Sequence, residues 1–311
     1  MAVEASLNGF FRDVDFKEKI VNDYGCFSGG LRGCLSYFCL PPCSPRCIRT
    51  FLNARHQTRH KVHIADARRL QEEEMAQGRS TGDFFQRHGF VLLQHHTSLS
   101  ASDWICEKPE GFRKASGPRL IYAKEVEPLI REILPRSTEL VFSDHFLRRG
   151  PGGIPFYGNG VHQDYGLEKE DMRTTFAAHE SFEKWLERLA TESYSIINFW
   201  RPVLPMEGPV RGTPLAVCDA GSVDLKSVVT QELFGFVPGG QISLGLKFDA
   251  KQKWYYYPDM TKDEVLVLRQ FHSEPGSAGI NTAFHSAFQL DPTAEVRCSS
   301  EYRVGVFADT A

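Results

Sequence analysis

Hydrophobic residues follow helical spacing in the first part of the chain and form strand-length runs in the second. Three segments before residue 190 repeat apolar positions every three or four residues, and they begin near Asp83, Val126 and Phe182. That spacing predicts amphipathic helices. Beyond residue 190, short apolar runs alternate with turn residues and predict strands at residues 194–203, 214–219, 241–248, 254–257, 264–271, 283–289 and 300–308. Such regular short strands favour an all-β sandwich or barrel over alternating βαβ units.

Three more strands are predicted before that region, at residues 89–93, 139–147 and 161–165. The second helix contains Pro128, which we expect near the start of the helix, because a proline in a helix interior removes a backbone hydrogen bond. The pattern as a whole predicts a mainly β domain with helices flanking one of its sheets.

The first 61 residues differ in composition from the rest. We expect a short arm at residues 1–25 and an insert at 26–61 that is cysteine-rich and then basic, followed by one continuous globular domain at 62–311. Five of the eight cysteines fall in the insert, at Cys26, Cys34, Cys39, Cys43 and Cys47. None of them forms the Cys-x-x-Cys pair common in zinc sites, and glycine and proline surround them. A loop or poorly ordered linker is the favoured interpretation.

Charge narrows the classes of partner. The 36 Lys+Arg residues nearly balance the 39 Asp+Glu residues, for a net charge of -3. Such a chain has no broad positive field, so nucleic acid and anionic membranes are disfavoured as partners and a small molecule is expected. No apolar run approaches the length of a membrane span, and no secretory signal is visible, so we expect a cytoplasmic protein.

His162 and Asp164 are the first candidates for chemistry. Residues i and i+2 of a strand project from the same face, so both side chains can bind one ion. A second histidine would complete the two-histidine, one-carboxylate set of non-haem Fe(II) oxygenases. We favour His285, in a predicted strand 121 residues after Asp164, over the alternative His272. A buried structural role for His285 and a zinc hydrolase built on the same three residues remain open alternatives.

Arg297 and Ser299 follow His285 by 12 and 14 residues. A guanidinium beside a hydroxyl is suited to hold a carboxylate through a bidentate ion pair and a neutral hydrogen bond. The distal carboxylate of 2-oxoglutarate fits this pair, since the 2-oxo acid end of that molecule can chelate iron. Arg303 is a second candidate for the same carboxylate, and a surface ion pair is the alternative role for Arg297.

Longer motifs make the sequence resemble a known family over about residues 62–308. They are Asp144-His145 with Arg148-Arg149, His162-Gln163-Asp164-Tyr165, Asn198-Phe199-Trp200-Arg201-Pro202, Pro214-Leu215-Ala216-Val217-Cys218-Asp219, Trp254-Tyr255-Tyr256 with Met260-Thr261 and Asp263-Glu264, and His285-Ser286-Ala287-Phe288. The family is the fungal hydroxylase/desaturase group, which includes gibberellin desaturase-like proteins and relatives of the cephem 7α-methoxylase subunit.

The resemblance implies an Fe(II)- and 2-oxoglutarate-dependent oxygenase with a double-stranded β-helix, a jelly roll of the cupin type. It implies that His162, Asp164 and His285 bind iron, that Arg297 and Ser299 hold the cosubstrate, and that O2 is consumed. The substrate would be a small molecule of secondary metabolism. Hydroxylation, desaturation and oxidative ring closure all remain open, as do the substrate and the oligomeric state.

Three residues are candidates for contact with the substrate. Trp200 and Arg201 follow the first ligand pair in a predicted strand, where Arg201 could hold a substrate carboxylate or the pair could be structural. Arg148 is the third candidate, because adjacent strand positions alternate and one of Arg148 and Arg149 should point inward. A non-catalytic β-sandwich binding protein, in which the three ligands meet by accident, is the alternative outside the enzymes.

Overall fold

The computed structural model describes residues 2–12, 20–23, 57–104, 117–149, 160–173, 182–234, 240–276 and 281–310. The strands are β1 (Val3–Phe11), β2 (Ile20–Asp23), β3 (Gln57–Asp66), β4 (Phe90–Gln94), β5 (Ser137–Arg149), β6 (Glu192–Pro202), β7 (Leu215–Cys218), β8 (Val228–Phe234), β9 (Gln241–Leu246), β10 (Trp254–Tyr256), β11 (Glu264–Ser273), β12 (His285–Ala287) and β13 (Cys298–Asp309). The α-helices are α1 (Ala67–Ala76), α2 (Thr81–His88), α3 (Ala101–Trp104), α4 (Gly117–Ile133) and α5 (Phe182–Arg188), and short 3-10 turns lie at Lys169–Met172, Ala220–Ser222 and Leu225–Ser227.

The major sheet contains the longest strands, in the order β4-β11-β6-β13-β5, and every neighbouring pair is antiparallel. Side chains alternate between its two faces. One face packs against the helices: Ile197 of β6 and Val304 of β13 share a buried cluster with Phe84 of α2 and Val126 of α4. Helices α2 and α4 therefore cover the outer face of this sheet, as the sequence pattern predicted, whereas α5 packs against Tyr194, Ile196 and Phe271 on its other face.

A second set of strands lies opposite. Its sheet has the order β1-β3-β10-β7-β12, and a smaller sheet has the order β2-β8-β9. Residues 160–163 connect these sheets through isolated bridges, pairing His162 with His285 of β12 and Gln163 with Leu244 of β9. One cavity is lined from both sides, by Leu215 of β7 and Leu268 of β11 among others, so the two walls face each other.

Helix α2 leads directly into the major sheet. It begins with a capping box, in which Ser80 and Asp83 each hydrogen-bond to the other's backbone N–H. It ends at Gly89, whose φ of 77° is a left-handed conformation that glycine adopts without steric cost. The chain then enters β4 at Phe90, which confirms the predicted helix and the buried strand behind it.

The structure differs from the sequence predictions in several details, and strands β2, β3 and β8 were not predicted at all. Strand β1, predicted as an arm outside the catalytic fold, pairs with β3 and joins the sheet that carries His285, and the predicted boundary at residue 62 lies inside β3. Pro128 lies inside α4 rather than near its start. The strand predicted at 161–165 consists of single bridges. The cysteine cluster of residues 26–47 lies outside the described residues.

None of the helices in the described ranges has the length and apolar character needed to cross a membrane.

Candidate metal centre

His162, Asp164 and His285 come together between the two walls. Each offers one ligand atom, and these atoms all lie within 4.8 Å of one another. The two histidines are paired directly, since the backbone N–H of each donates to the carbonyl oxygen of the other, at 3.1 and 2.9 Å. Directly opposite residues in an antiparallel pair project from the same face. Their ring centres are consequently only 4.4 Å apart.

Backbone carbonyls orient both imidazoles. Nδ1 of His162 lies 2.7 Å from the carbonyl oxygen of Gly160, and Nδ1 of His285 lies 3.4 Å from that of Ala283. A carbonyl oxygen only accepts, so each Nδ1 carries the proton and each Nε2 keeps a lone pair for a metal. Burial, together with the neighbouring His162, lowers the pKa of His285 to about 4, so this ligand is neutral at pH 7.

Asp164 offers its two oxygens to different partners. Oδ1 lies 3.6 Å from Nε2 of His162, on the side of the histidines. Oδ2 accepts from Nδ2 of Asn198 at 3.0 Å and from Nη2 of Arg303 at 2.9 Å. Burial raises the pKa of Asp164, but the Arg303 charge and the two histidines outweigh it and hold the pKa below its ordinary value. The residue is therefore a carboxylate.

Gln270 of β11 ties two ligand segments to the major sheet. Its Oε1 accepts from the backbone N–H of Asp164 at 3.2 Å, and its Nε2 donates to the carbonyl oxygen of Ala283 at 3.4 Å. That same carbonyl orients His285. One amide side chain thus fixes the backbone on both sides of the candidate site.

A second buried carboxylate, Glu301, lies beside Asp164. Its Oε1 accepts from Asn198 at 3.2 Å and from Arg303 at 2.7 and 3.1 Å, and its Oε2 accepts from Arg148 at 3.1 Å. Burial opposes its ionisation, yet Arg303 and Arg148 hold its pKa well below the ordinary value. Neither Asn198 nor Glu301 was singled out from the sequence. The available signal was a polar residue at an inward position of an otherwise buried strand.

Arg297 immediately precedes β13, and Ser299 is the second residue of that strand. The Arg297 side chain is 2% exposed, its Nη1 donates to the carbonyl oxygen of Thr213 at 2.6 Å, and its guanidinium carbon is 5.4 Å from the centre of the Trp200 ring. Ser299 is buried, and its Oγ has no hydrogen-bond partner in the described part of the chain. A buried hydroxyl of this kind needs a partner, which a bound ligand can supply.

A single cavity connects the predicted ligands with the predicted clamp. It is lined by Arg148, His162, Asn198, Trp200, Leu215, Leu268, His285, Arg297 and Glu301. Both histidines and Arg297 therefore face the same space. Two of the three predicted substrate contacts, Arg148 and Trp200, line it as well.

Arg201, the third predicted substrate contact, lies on the other face of β6. Its Nη1 lies 2.7 Å from Nδ1 of His95, and its Nη2 donates to the carbonyl oxygens of His95 and Lys262. Adjacent strand residues point in opposite directions, so the inward position of Trp200 sends Arg201 outward. The structural role considered for Arg201 agrees with this position, and a substrate contact does not.

Two residues considered as alternatives also have other partners. His272 hydrogen-bonds through Nδ1 to Ser195 Oγ at 2.9 Å and does not join the three candidate ligands. Arg303 directs all three guanidinium nitrogens at protein groups: Nε at Glu301, Nη1 at the Tyr165 hydroxyl at 3.4 Å, and Nη2 at Asp164 and Glu301. Tyr165 is buried, as expected for a core residue.

Comparison with known proteins agrees with this geometry. The sequence profile of the family described as "Oxidoreductase/YMDC permease-like domain" matches residues 45–307. Hydroxylase/desaturase CTB9 of Cercospora beticola is 33% identical over 245 residues, which cover 71% of this chain and 70% of that protein. Hydroxylase/desaturase asaB of Aspergillus flavus is 31% identical over 129 residues, which cover 37% of this chain and about half, 54%, of that protein.

Among solved structures, a variant of the iron and alpha-ketoglutarate-dependent endoperoxidase NvfI superposes with a TM-score of 0.70. The superposition covers 99% of this chain and 100% of that chain, at 18% identity. The likeness concerns the fold, and it confirms the predicted jelly roll. Because the oxidoreductase profile matches residues 45–307 and hydroxylase/desaturase CTB9 is 33% identical with 70% of that protein covered, the chain belongs to the fungal hydroxylase/desaturase family of oxidoreductases.

Proposed function

We propose that this protein is a non-haem Fe(II)- and 2-oxoglutarate-dependent oxygenase that acts on a small molecule, an intermediate of fungal secondary metabolism. The observation that carries the proposal is the shared cavity, which is lined by His162 and His285 at one part and by Arg297 at another. A metal held by the histidines and a carboxylate held by Arg297 would therefore occupy one connected space. The iron and alpha-ketoglutarate dependence named for the structural neighbour NvfI points the same way.

The three candidate ligands fit Fe(II) in number and type. Two neutral imidazoles and one carboxylate leave positions open on a six-coordinate ion. When bound, Fe(II) and 2-oxoglutarate would supply the oxidising chemistry, with succinate and CO2 as the products of the cosubstrate. The protein's part is to hold the ligands in place, with His162 and His285 presenting Nε2 and Asp164 presenting Oδ1.

Arg297 and Ser299 fit the distal carboxylate of 2-oxoglutarate. A buried guanidinium offers parallel N–H donors to a carboxylate, and the buried Ser299 Oγ offers one more hydrogen bond. Arg303 is the weaker candidate, because Asp164 and Glu301 already engage its guanidinium. We therefore assign the cosubstrate to Arg297 and Ser299, and Arg303 to Asp164.

The rest of the cavity wall would contact the substrate. Trp200, Leu215 and Leu268 supply apolar surface that excludes water, and Arg148 supplies a charged edge. Such a wall suits a largely apolar small molecule.

We further propose that the enzyme acts in the cytoplasm, which cell fractionation would test.

The experiment is an anaerobic titration of the protein with Fe(II) and 2-oxoglutarate, followed through the visible charge-transfer band of the chelated cosubstrate. Wild type and His272→Ala should develop the band, whereas His285→Ala should not. A wild type without the band would overturn the proposal in favour of a zinc hydrolase or a binding protein. A band that survives in His285→Ala and disappears in His272→Ala would show that His272, and not His285, is the third ligand.

The reaction outcome needs a second measurement. Fungal metabolites would be screened for stimulated release of succinate, and the product of each positive compound would be identified by mass. A gain of one oxygen indicates hydroxylation, and a loss of two hydrogens indicates desaturation or ring closure.

A further inference from the structure

The two oxygens of Asp164 have unequal surroundings. Oδ2 receives two hydrogen bonds, from Asn198 at 3.0 Å and from Arg303 at 2.9 Å. Oδ1 lies on the opposite side, 3.6 Å from Nε2 of His162. A carboxylate whose outer oxygen is held by two donors is restricted in rotation about its terminal bond. Only Oδ1 is then presented to a metal.

We propose that Asn198 and Arg303 are positioning residues that hold Asp164 as a one-oxygen metal ligand, and that Glu301 holds these two residues in turn. The proposal rests on the metal site proposed above and adds the residues that determine its coordination. Outer partners of this kind orient ligands and commonly contribute 10- to 100-fold in metal affinity.

The orientation of the Asn198 amide follows from its partners. Nδ2 lies 3.0 Å from Oδ2 of Asp164 and 3.2 Å from Oε1 of Glu301, and ionised carboxylates only accept. The NH2 group must therefore face both, and a flipped amide would place an oxygen against two anions. Asn198 is 1% exposed, so water cannot replace these contacts readily.

Glu301 explains why the site has one carboxylate ligand although two carboxylates are close by. Oε1 of Glu301 accepts from Asn198 and Arg303, and Oε2 accepts from Arg148. With both oxygens occupied, Glu301 is kept away from the metal. Its charge balances the cluster, since Arg303 and Arg148 face Asp164 and Glu301, two positive groups against two negative ones.

The register of the two central strands builds this network. Asn198 of β6 lies directly opposite Arg303 of β13, and Glu301 is two residues before Arg303 on the same strand. All three positions therefore project from the inner face. Because β6 and β13 lie inside the major sheet, with partners on both sides, the network is attached to a rigid part of the fold.

The test uses Co(II) as a spectroscopic probe, with neither 2-oxoglutarate nor O2 present. Asn198→Leu removes the donor to Asp164 while nearly keeping its shape. We expect Co(II) to bind about 10- to 100-fold more weakly, with a changed visible absorption that reports altered coordination. Ser195→Ala is the matched control on β6, because it removes one hydrogen bond of a buried residue, to His272, on the outer face. Its Co(II) affinity and spectrum should equal those of wild type.

Glu301→Gln is the second variant, because it keeps the side-chain shape and removes the charge that holds Arg303. Weaker Co(II) binding by about tenfold is expected. Thermal melting of the metal-free proteins identifies a variant that fails to fold. Co(II) binding by the other, folded variant then tests the positioning role. An unchanged Co(II) affinity and spectrum in either folded variant would overturn the positioning role. Absence of Co(II) binding in wild type would instead overturn the proposed metal site itself.

Discussion

The two faces of the major sheet bury arginine in opposite ways. On the outer face, Arg269 of β11 is fully buried against α2, where Nη2 donates to Oε1 of Gln86 at 2.7 Å and the guanidinium lies 4.6 Å from the Phe85 ring. No carboxylate of the described residues forms an ion pair with it, and burial lowers its pKa. On the inner face, Arg303 is paired with two carboxylates, whose charges outweigh burial and raise its pKa.

The difference shows what each face requires. The outer face needs packing, and a buried cation that forms no ion pair with the described residues is tolerated there against an aromatic ring and an amide. The inner face needs defined positions for charged atoms, because the Asp164 oxygen that we propose as a metal ligand must point at one place. Complete pairing of charges is the physical means to hold such positions in a poorly solvated site.

The largest expected effect is a difference in the free energy of unfolding between variants of the two arginines, Arg303 and Arg269. Arg303→Met leaves two buried carboxylates close together without their main counter-charge and should lower the free energy of unfolding by about 3–5 kcal/mol. Arg269→Met removes a buried charge that lacks an ion pair, and the exposed Gln86 can turn to water, so its stability should stay within about 1 kcal/mol of wild type or rise. Urea unfolding in the presence of a chelator measures both.

Equal destabilisation by the two substitutions would contradict this contrast between the faces. Adding Co(II) back sharpens the comparison, because a divalent cation beside Asp164 replaces part of the lost positive charge. At saturating Co(II), the free energy of unfolding should therefore rise more in Arg303→Met than in Arg269→Met.

An intermediate effect concerns the cosubstrate. Arg297→Met should raise the KM for 2-oxoglutarate by about 10- to 100-fold, since hydrogen bonds to charged groups contribute about 1.5–3 kcal/mol. Binding of Co(II) alone should stay at the wild-type level. Arg201→Met is the control, because Arg201 lies on the outer face of β6. If Arg201→Met raised the KM for 2-oxoglutarate and Arg297→Met left it unchanged, the assignment of the cosubstrate carboxylate to Arg297 would be wrong.

The smallest expected effect is a pH dependence of stability, to which two histidines on the outer side of the sheet contribute together with His285, whose pKa burial also lowers to about 4. Burial and then Arg201 lower the pKa of His95 to about 4, and burial and then Arg269 do the same for His272. A folded-state pKa below the unfolded value of 6.5 means that the folded protein binds fewer protons, so stability is full above pH 6.5 and declines towards pH 4.

Melting curves of the chelated protein between pH 7 and pH 4 measure this decline. His95→Gln should make it shallower, because the substitution removes one of the groups whose protonation favours unfolding. A wild-type melting temperature that stays constant or rises on acidification would exclude this account of the two histidines.

Much of the fold could be predicted from local pattern. Short apolar runs such as residues 194–203 and 264–271 became β6 and β11, and helical spacing around Val126 became α4. Strand β1 was not anticipated, because it exists as a strand only through its pairing with β3, about 50 residues later in the chain. Pro128 was expected near the start of its helix, but it lies inside α4, where its ring is on the exposed side of the helix.

The candidate site divides in the same way. His162, Asp164, His285, Arg297 and Ser299 could be named from residue type and spacing, because metal and carboxylate binding demand particular side chains. Asn198 and Glu301 could not, because their roles depend on which strand lies beside which. Trp200 and Arg201 were predicted together, and the pleat separates them onto opposite faces.

The sequence by itself therefore determined the mainly β class of the fold, most of its strands beyond residue 190 and the side chains able to bind iron and a carboxylate, since these follow from periodicity and chemical type. Only the tertiary structure decided which oxygen of Asp164 is presented, which carboxylate is kept from the metal, and which arginine faces the cavity. Those outcomes depend on the pairing of β6 with β13, about 100 residues apart, and a shift of one residue would turn every side chain of a strand to the other face.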